Sequence, residues 1–299
     1  MLGIADIGSG KLLAVGWTTD NFTGKGKQAW LVGVDKSGGV VSNVAYGGPG
    51  DEGFAGAVVT ATGALAFGYA EASGWVADVK NGVMGLSTKQ GETGKSIEWQ
   101  AAALGPAAAK VLYVAGSSVD GNGDSQPAVA AIDSATLAPK WSTVIGIPFA
   151  KATAIVATST GATVVGWQTT PAGAQGWLAK LDTEGAASAV VFETALGTRI
   201  YAAATTLADG SLVAVGGAEE NQVVSNSLTT YAWFVRWNQA LSQPIASAAL
   251  QGVSGKQVFS AIVPYKTGFL ALGTVAATGA KSQGWLVQLG ANGVRSCDY

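Results

Sequence analysis

The chain contains no histidine. That removes a Ser-His-Asp or Cys-His nucleophile and every His-ligated zinc, copper or haem site. It has a single cysteine, Cys297, so no internal disulfide can form and no thiolate cluster can hold a metal. Charge is scarce: only 12% of residues are Asp, Glu, Lys or Arg, about half of the usual quarter. The formal net charge is −2, which gives no electrostatic basis for binding nucleic acid or an anionic membrane. No window reaches about 18 consecutive apolar residues, so no membrane-spanning helix is expected. The longest charge-free stretch, Ala152–Ala179, is broken throughout by Thr, Ser, Gln and Gly. The opening MLGIADIGSG has neither a basic region nor an apolar run, so no signal peptide is expected within it.

Glycine is abundant, 43 in 299 residues, and it is ordered. A short apolar run ending in Gly recurs as LLAVG (12–16), LAFG (65–68), LYVAG (112–116), TVVG (163–166), LVAVG (212–216) and LALG (270–273). The spacings of that Gly are 52, 48, 50, 50 and 57. A period near 50 is the signature of a propeller, solenoid or array. A second motif follows the Gly in three of the copies: AWLVGVDKSG at 29–38, GWLAKLDTEG at 176–185 and GWLVQLGANG at 284–293.

The fourth copy reads as four strands, a to d: FAKATAIVATS (149–159), ATVVGW (162–167), GWLAKLD (176–182) and SAVVFETAL (188–196). A polar loop, Gln168–Gln175, joins b to c, and the turn Asp182…Gly185 joins c to d. Asp at the first turn position can bond its own backbone, and Gly three residues later tolerates a positive φ. In the second copy Asn81-Gly82 is a hairpin signal, but strand d stays undefined because Lys89–Gly94 intervenes before SIEWQAA. The third copy has PAVAAID (127–133) where the others place the Trp of strand c. The apolar pattern is runs and alternation, without a 3.6 period. The expectation is an all-β chain: a single domain over 1–299, a six-bladed β-propeller of four-stranded antiparallel blades. The blades fall at approximately 1–47, 48–100, 101–146, 147–197, 198–251 and 252–299. LGIADI (2–7) serves as strand a of the first, and VRSCDY (294–299) as strand d of the last. Trp30, Trp75, Trp177, Trp233 and Trp285 start strand c and are expected to pack between blades.

The unit resembles the degenerate propeller repeats of bacterial secreted and envelope proteins. Those carry a WLVKLDxxG core, a GGxGDD-like segment, an AVVxT strand and a YVVAGxT strand. The first copy matches best, with AWLVGVDKSG and then GGPGDEGFAGAVVTATGALAFGYA (47–70). VAAIDSATLAPKW (129–141) is similar to the repeat of pyrroloquinoline-quinone-type propellers, among them scaffolding lipoproteins of outer-membrane assembly. Its characteristic Gly is replaced around Thr136–Leu137. The resemblance implies a location in the cell envelope or outside the cell, and a protein partner or larger assembly. It carries over no catalytic residue.

Three sets of residues are candidates for a site. Asp120, Asn122 and Asp124 in DGNGD alternate oxygen donors with Gly, like the start of a Ca²⁺ loop, but no distal carboxylate follows. The alternative is a Gly/Asp turn. Trp17, Tyr69 and Trp167 occupy equivalent places at the end of strand b, where a ring could stack on a sugar. Phe22 in the first b–c loop, and Val223, Val224 and Leu228 in the fifth (217–231), are apolar residues in long polar loops and are candidates for binding a partner. Carboxylates such as Asp20, Asp51, Glu52, Glu71, Glu219 and Glu220 are the remaining acid/base groups; a pair about 5–10 Å apart would permit glycoside hydrolysis.

Overall fold

The structure is a computed structural model that describes residues 2–8, 10–19, 26–193, 197–222, 227–250, 256–276 and 282–295; for 220–222 and 227–229 it describes the backbone alone. Strand follows strand in six antiparallel sheets, each built from consecutive segments. The first holds β1 (Gly3–Asp6), β2 (Lys11–Thr18), β3 (Gln28–Asp35) and β4 (Val40–Tyr46). The second holds β5 (Glu52–Thr60), β6 (Gly63–Ala70), β7 (Ser73–Lys80) and β8 (Val83–Gln90). The third holds β9 (Lys95–Leu104), β10 (Val111–Asp120), β11 (Ser125–Asp133) and β12 (Pro139–Val144). The fourth holds β13 (Ala150–Thr158), β14 (Gly161–Thr170), β15 (Gly173–Leu181) and β16 (Ala187–Phe192). The fifth holds β17 (Thr198–Thr206), β18 (Leu212–Gln222), β19 (Ser227–Trp237) and β20 (Pro244–Leu250). The sixth holds β21 (Lys256–Tyr265), β22 (Gly268–Ala276) and β23 (Gln283–Leu289). Residues 296–299, most of the expected last strand, lie outside the described residues. Among the described residues no helix is long and apolar enough to cross a membrane.

Two compact units result. One comprises Met1–Ala152, Ala157–Ala162 and Thr183–Gly185 and contains the first three sheets; the other comprises Thr153–Val156, Thr163–Asp182 and Ala186–Tyr299 and contains the fifth and sixth.

The repeated Gly has a specific cause. In the second sheet Gly68 lies opposite Phe54 of β5 on one side and Trp75 of β7 on the other. The rings of Phe54 and Trp75 stack across it, 4.7 Å between centroids and 22° between planes. The register of β5 slips by one residue just beyond Phe54, a β-bulge that pushes strand a towards strand b. A Cβ on Gly68 would collide with the carbonyl oxygen of Gly53. The sixth sheet repeats this: Gly273 lies between Phe259 and Trp285, which stack at 5.3 Å, with the bulge just beyond Phe259. Bulges also follow Trp99, opposite Gly116, and Tyr201, opposite Gly216. A second slip recurs where strand d begins after the c–d turn, as between Gly33 and Val34 or Lys180 and Leu181.

The c–d turns close as their sequence requires. Asp35 Oδ1 accepts hydrogen bonds from the backbone N–H of Ser37 and of Gly39, both at 2.8 Å, and Gly38 has φ +87°. Asp182 Oδ1 accepts from Ala186 N at 2.9 Å, and Gly185 has φ +87°.

Four of the sheets hand one apolar face to the next. The residue before the strand-b Gly and the residue after the strand-c Trp form that face. Val15 and Leu31 pack with Phe54, Ala66 and Trp75; Phe67 and Val76 pack with Trp99, Val114 and Ala130. Val165 and Leu178 pack with Tyr201, Ala214 and Val235; Val215 and Phe234 pack with Phe259, Ala271 and Val287. Trp75, Trp177 and Trp233 are buried as expected, whereas Trp30 and Trp285 are half-buried.

Two differences from the sequence reading stand out. SIEWQAA does not end the second repeat: it belongs to β9, which opens the third sheet, and VMGLSTKQ (83–90) is the second sheet's strand d. The 100/101 boundary therefore falls inside a strand. The expected polar b–c loops are also mostly strand. Pro171-Ala172 alone joins β14 to β15, because Gln168 Nε2 donates to Gln175 Oε1 at 2.8 Å and Thr170 Oγ1 donates to Gly173 O at 2.7 Å. Polar pairs across a hairpin extend the ladder as well as apolar ones do.

Candidate functional site

In the first unit the connection Gly47–Asp51 folds over the start of β3. Lys27 N donates to Asp51 Oδ1 at 2.7 Å. Glu52, first residue of β5, is only 2% exposed. Its Oε1 accepts from Gly48 N at 3.0 Å and its Oε2 from Gln28 Nε2 at 3.4 Å. A buried carboxylate needs such donors. Tyr69 stands half-buried beside this group; burial raises its pKa first, and the charges of Glu98, Asp51 and Glu52 raise it further. The expected aromatic Trp17, 37% exposed, sits on β2 with Lys27 Nζ 4.9 Å from its ring centroid. Trp167 lies half-buried on β14 in the other unit. The three aromatics share a register position, but the first two differ in surroundings, a lysine beside Trp17 and a carboxylate group beside Tyr69.

The second unit places a cation where the first places Glu52. Both stand two residues before the aromatic of strand a, in Glu52-Gly53-Phe54 and Arg199-Ile200-Tyr201; Ile97 and Gln257 hold the same place in the third and sixth sheets. Arg199 is 4% exposed. Its guanidinium lies 4.8 Å from the centroid of the Trp233 ring, and Nη1 donates to Thr198 O at 3.1 Å. Next to it, Tyr201 Oη donates to Glu193 Oε2 at 2.7 Å, and Gln175 Nε2 donates to Glu193 O at 2.9 Å. Burial holds the Tyr201 pKa well above its ordinary value, and the Glu193 carboxylate adds to this. Tyr201 thus remains a hydrogen-bond donor at any ordinary pH. Sequence reasoning named Glu52 as a candidate carboxylate but missed Arg199, Tyr201 and Glu193. The signal was there: a charged or amide residue two places before an aromatic at the start of three strand-a segments.

DGNGD forms the turn between β10 and β11. Asp120 Oδ1 accepts from Asn122 N at 2.9 Å and from Asp124 N at 3.0 Å, and Gly123 has φ +87°. Asp120 Oδ1 thereby caps its own turn, as Asp at the start of a Gly/Asp turn does. Among the described residues no three acidic, His or Cys side chains gather where they could share a metal ion.

The partner-binding candidates fall on or beside a β-ribbon. β18 and β19 pair as far as Gln222↔Ser227, so most of the expected loop 217–231 is strand. Leu228 pairs with Asn221 in that register. Val223, Val224 and Phe22 lie outside the described residues, as does Asp20. Among the described residues β17 pairs β18 only as far as Glu219, and β20 pairs β19 only as far as Ala232.

No protein-family model matches the chain, and no curated protein matches it. Solved structures do. The WD40 domain of Pan2 from Neurospora crassa matches with a TM-score of 0.58 at 11% identity, over 98% of this chain and 83% of that one. A protein of unknown function from Dyadobacter fermentans matches with a TM-score of 0.57 at 11% identity, over 95% and 93%. Sqt1 from Chaetomium thermophilum matches with a TM-score of 0.56 at 9% identity, over 98% and 70%. At these identities the likeness establishes the fold, a β-propeller, and nothing about activity.

Proposed function

We propose that this chain is a non-enzymatic six-bladed propeller, with four strands per blade, that serves as a protein-interaction or structural module of a bacterial envelope or extracellular assembly. The β18–β19 ribbon carries the reading. Its last three pairs, Glu220↔Thr229, Asn221↔Leu228 and Gln222↔Ser227, have no third strand beside them among the described residues. Two strands alone are marginally stable in water. An arm of this kind gains most by lying on another surface. The location rests on the resemblance of the repeats to those of envelope and secreted proteins, and on the low charge.

The test is to replace Glu220–Thr229 by Asn-Gly, which closes the hairpin with a two-residue turn on the Glu219↔Thr230 pair. The trimmed protein is expected to melt within about 0.5 kcal/mol of the parent and to lose the partner that co-purifies from the native source. Retention of the same partner at the same strength would overturn the reading.

A carbohydrate-binding role is the second reading, favoured by the exposed Trp17 ring with Lys27 beside it. Glycan-array binding that vanishes in Trp17→Ala would establish it over the first. Glycoside hydrolysis is third. Asp51 accepts a hydrogen bond from Lys27 N, just before β3, and Glu52 from Gly48 N, which ties both to holding the backbone.

A further inference from the structure

A groove of about 790 Å³ runs between the outer strands of the second and third sheets, within the first unit. Ligand pockets commonly span about 300–1,000 Å³. Its walls are β8 and β12, which are both edge strands. Its floor reaches Ile97 and Trp99 of β9 and Val129 of β11.

Three observations say what it takes. The first is an amide. Both side-chain polar atoms of Gln90, at the end of β8, are buried without a hydrogen-bond partner among the described residues. Such groups are costly to leave unmet. Several indole N–H groups and the Ser118 hydroxyl share this condition, but of these only Trp99 lines the groove, and an indole can only donate. Gln90 has a donor and an acceptor to fill, the complement of a peptide unit, which a turn of its side chain into the groove it lines would present. The second is charge. Lys89, Lys95 and Lys140 line the groove against the single carboxylate of Glu92, in a chain whose net charge is negative. Lys95 pairs with Glu92 at 2.8 Å and Lys140 lies 3.7 Å from Asp133, while exposed Lys89 makes no ion pair among the described residues. The third is the edge itself. Ile145 N donates to Pro127 O at 2.9 Å. The alternation of an antiparallel ladder therefore turns the backbone groups of Ser142 and Val144 outward, away from β11.

We propose that this groove binds an extended acidic segment of a partner protein, which lies along β12, meets the lysines with its carboxylates and satisfies the Gln90 amide with its backbone. The proposal rests on the interaction reading above but uses a different surface from the β18–β19 ribbon. An acidic strand added to an edge takes affinity from main-chain hydrogen bonds and selectivity from charge.

The test uses the whole chain and a fluorescein-labelled peptide of alternating Glu and Val, with an alternating Lys/Val peptide as control, read by fluorescence anisotropy. The acidic peptide is expected to bind and the basic one not to. Raising salt from about 50 mM to about 500 mM weakens the binding, because the contacts lie at the groove rim. Gln90→Leu, and separately Lys89→Glu, weaken it at least about fivefold, while Lys36→Glu on the exposed c–d turn of the first sheet leaves it unchanged. Circular dichroism of each variant separates loss of binding from loss of fold. Absence of binding, or binding at the parent's strength in Gln90→Leu and in Lys89→Glu, would overturn the proposal. So would binding of an acidic oligosaccharide, lost in the same variants, without binding of the peptide. A partner still captured by the full chain when the peptide fails would leave the ribbon reading standing and remove only the groove.

Discussion

Val215 and Phe234 of the fifth sheet are wholly buried, each in the face that packs on the sixth. Leu272 and Leu286 hold the same register positions in the sixth sheet and are 48% and 65% exposed. Every earlier sheet buries both positions: Val15 and Leu31, Phe67 and Val76, Ala115 and Val129, Val165 and Leu178. The sequence writes an apolar residue at each place regardless. Leu272 lies on the middle strand of the three described, flanked on both sides, so a fourth strand at the edge would not cover it. What differs is the burial of the face, 0% for Val215 and Phe234 against 48% and 65%. Register chooses which side chains share a face; burial then depends on what the face meets.

The comparison breaks first on core truncation. Phe234→Ala should destabilise the protein by about 3–5 kcal/mol, the cost of a large core cavity. Leu286→Ala should cost less than about 1 kcal/mol, as an exposed change does. Urea melts of the two variants check this. A similar large cost for both would mean that the sixth face is covered in solution.

Within a sheet, by contrast, the fifth and sixth should behave alike. Gly216→Ala and Gly273→Ala each drive a Cβ into a carbonyl of the bulged strand, Ile200 O and Val258 O. Both should cost about 1–3 kcal/mol, as overpacking does, measured in the same melts. A neutral result at either would show that its bulge relaxes without cost.

A smaller contrast lies in the a–b turns. The Asp209 carboxyl of the fifth sheet is held below its ordinary pKa, chiefly by the Ser211 hydroxyl, then by Ser211 N–H and Arg236. A depressed pKa gives stability above the unfolded value, about 3.9 for Asp; that stability disappears as pH falls through the lower folded value. The corresponding turn of the sixth sheet, Tyr265-Lys266-Thr267-Gly268, has no carboxylate. Between about pH 5 and pH 2, Asp209→Asn should show a shallower fall in melting temperature than the parent. Parallel profiles would remove Asp209 from the account.

The smallest effect is expected from metal. With Asp120 Oδ1 capping its own turn, chelator should leave the melting curve unchanged. A drop with chelator, abolished by Asp124→Ala, would restore the Ca²⁺ reading and make the third sheet the exception.

Much of this was legible in the residues. The strand-b Gly, the strand-c Trp and the Asp…Gly turn are local devices, each with a local cause, so their spacing exposed the repeat. Strand d of the second sheet was not legible, because VMGLSTKQ lies on an edge and lacks an apolar alternation. Nor were the long hairpins, since the Gln168–Gln175 pair exists only once the strands face each other. The Phe54, Trp99, Tyr201 and Phe259 series marks the bulges but follows no even spacing. Glu52 and Arg199 became a pair of counterparts only when register aligned them. The groove at Gln90 joins side chains of separate repeats, Lys89 and Lys140 among them, and no single repeat contains it.

The interaction reading is tested most directly by photo-crosslinking in the native source. Benzoylphenylalanine placed at Leu228, in the ribbon, should capture a defined partner protein; the same probe at exposed Leu286 of the sixth sheet should capture none. Capture from Leu286 with none from Leu228 would contradict the account and move recognition to the sixth sheet.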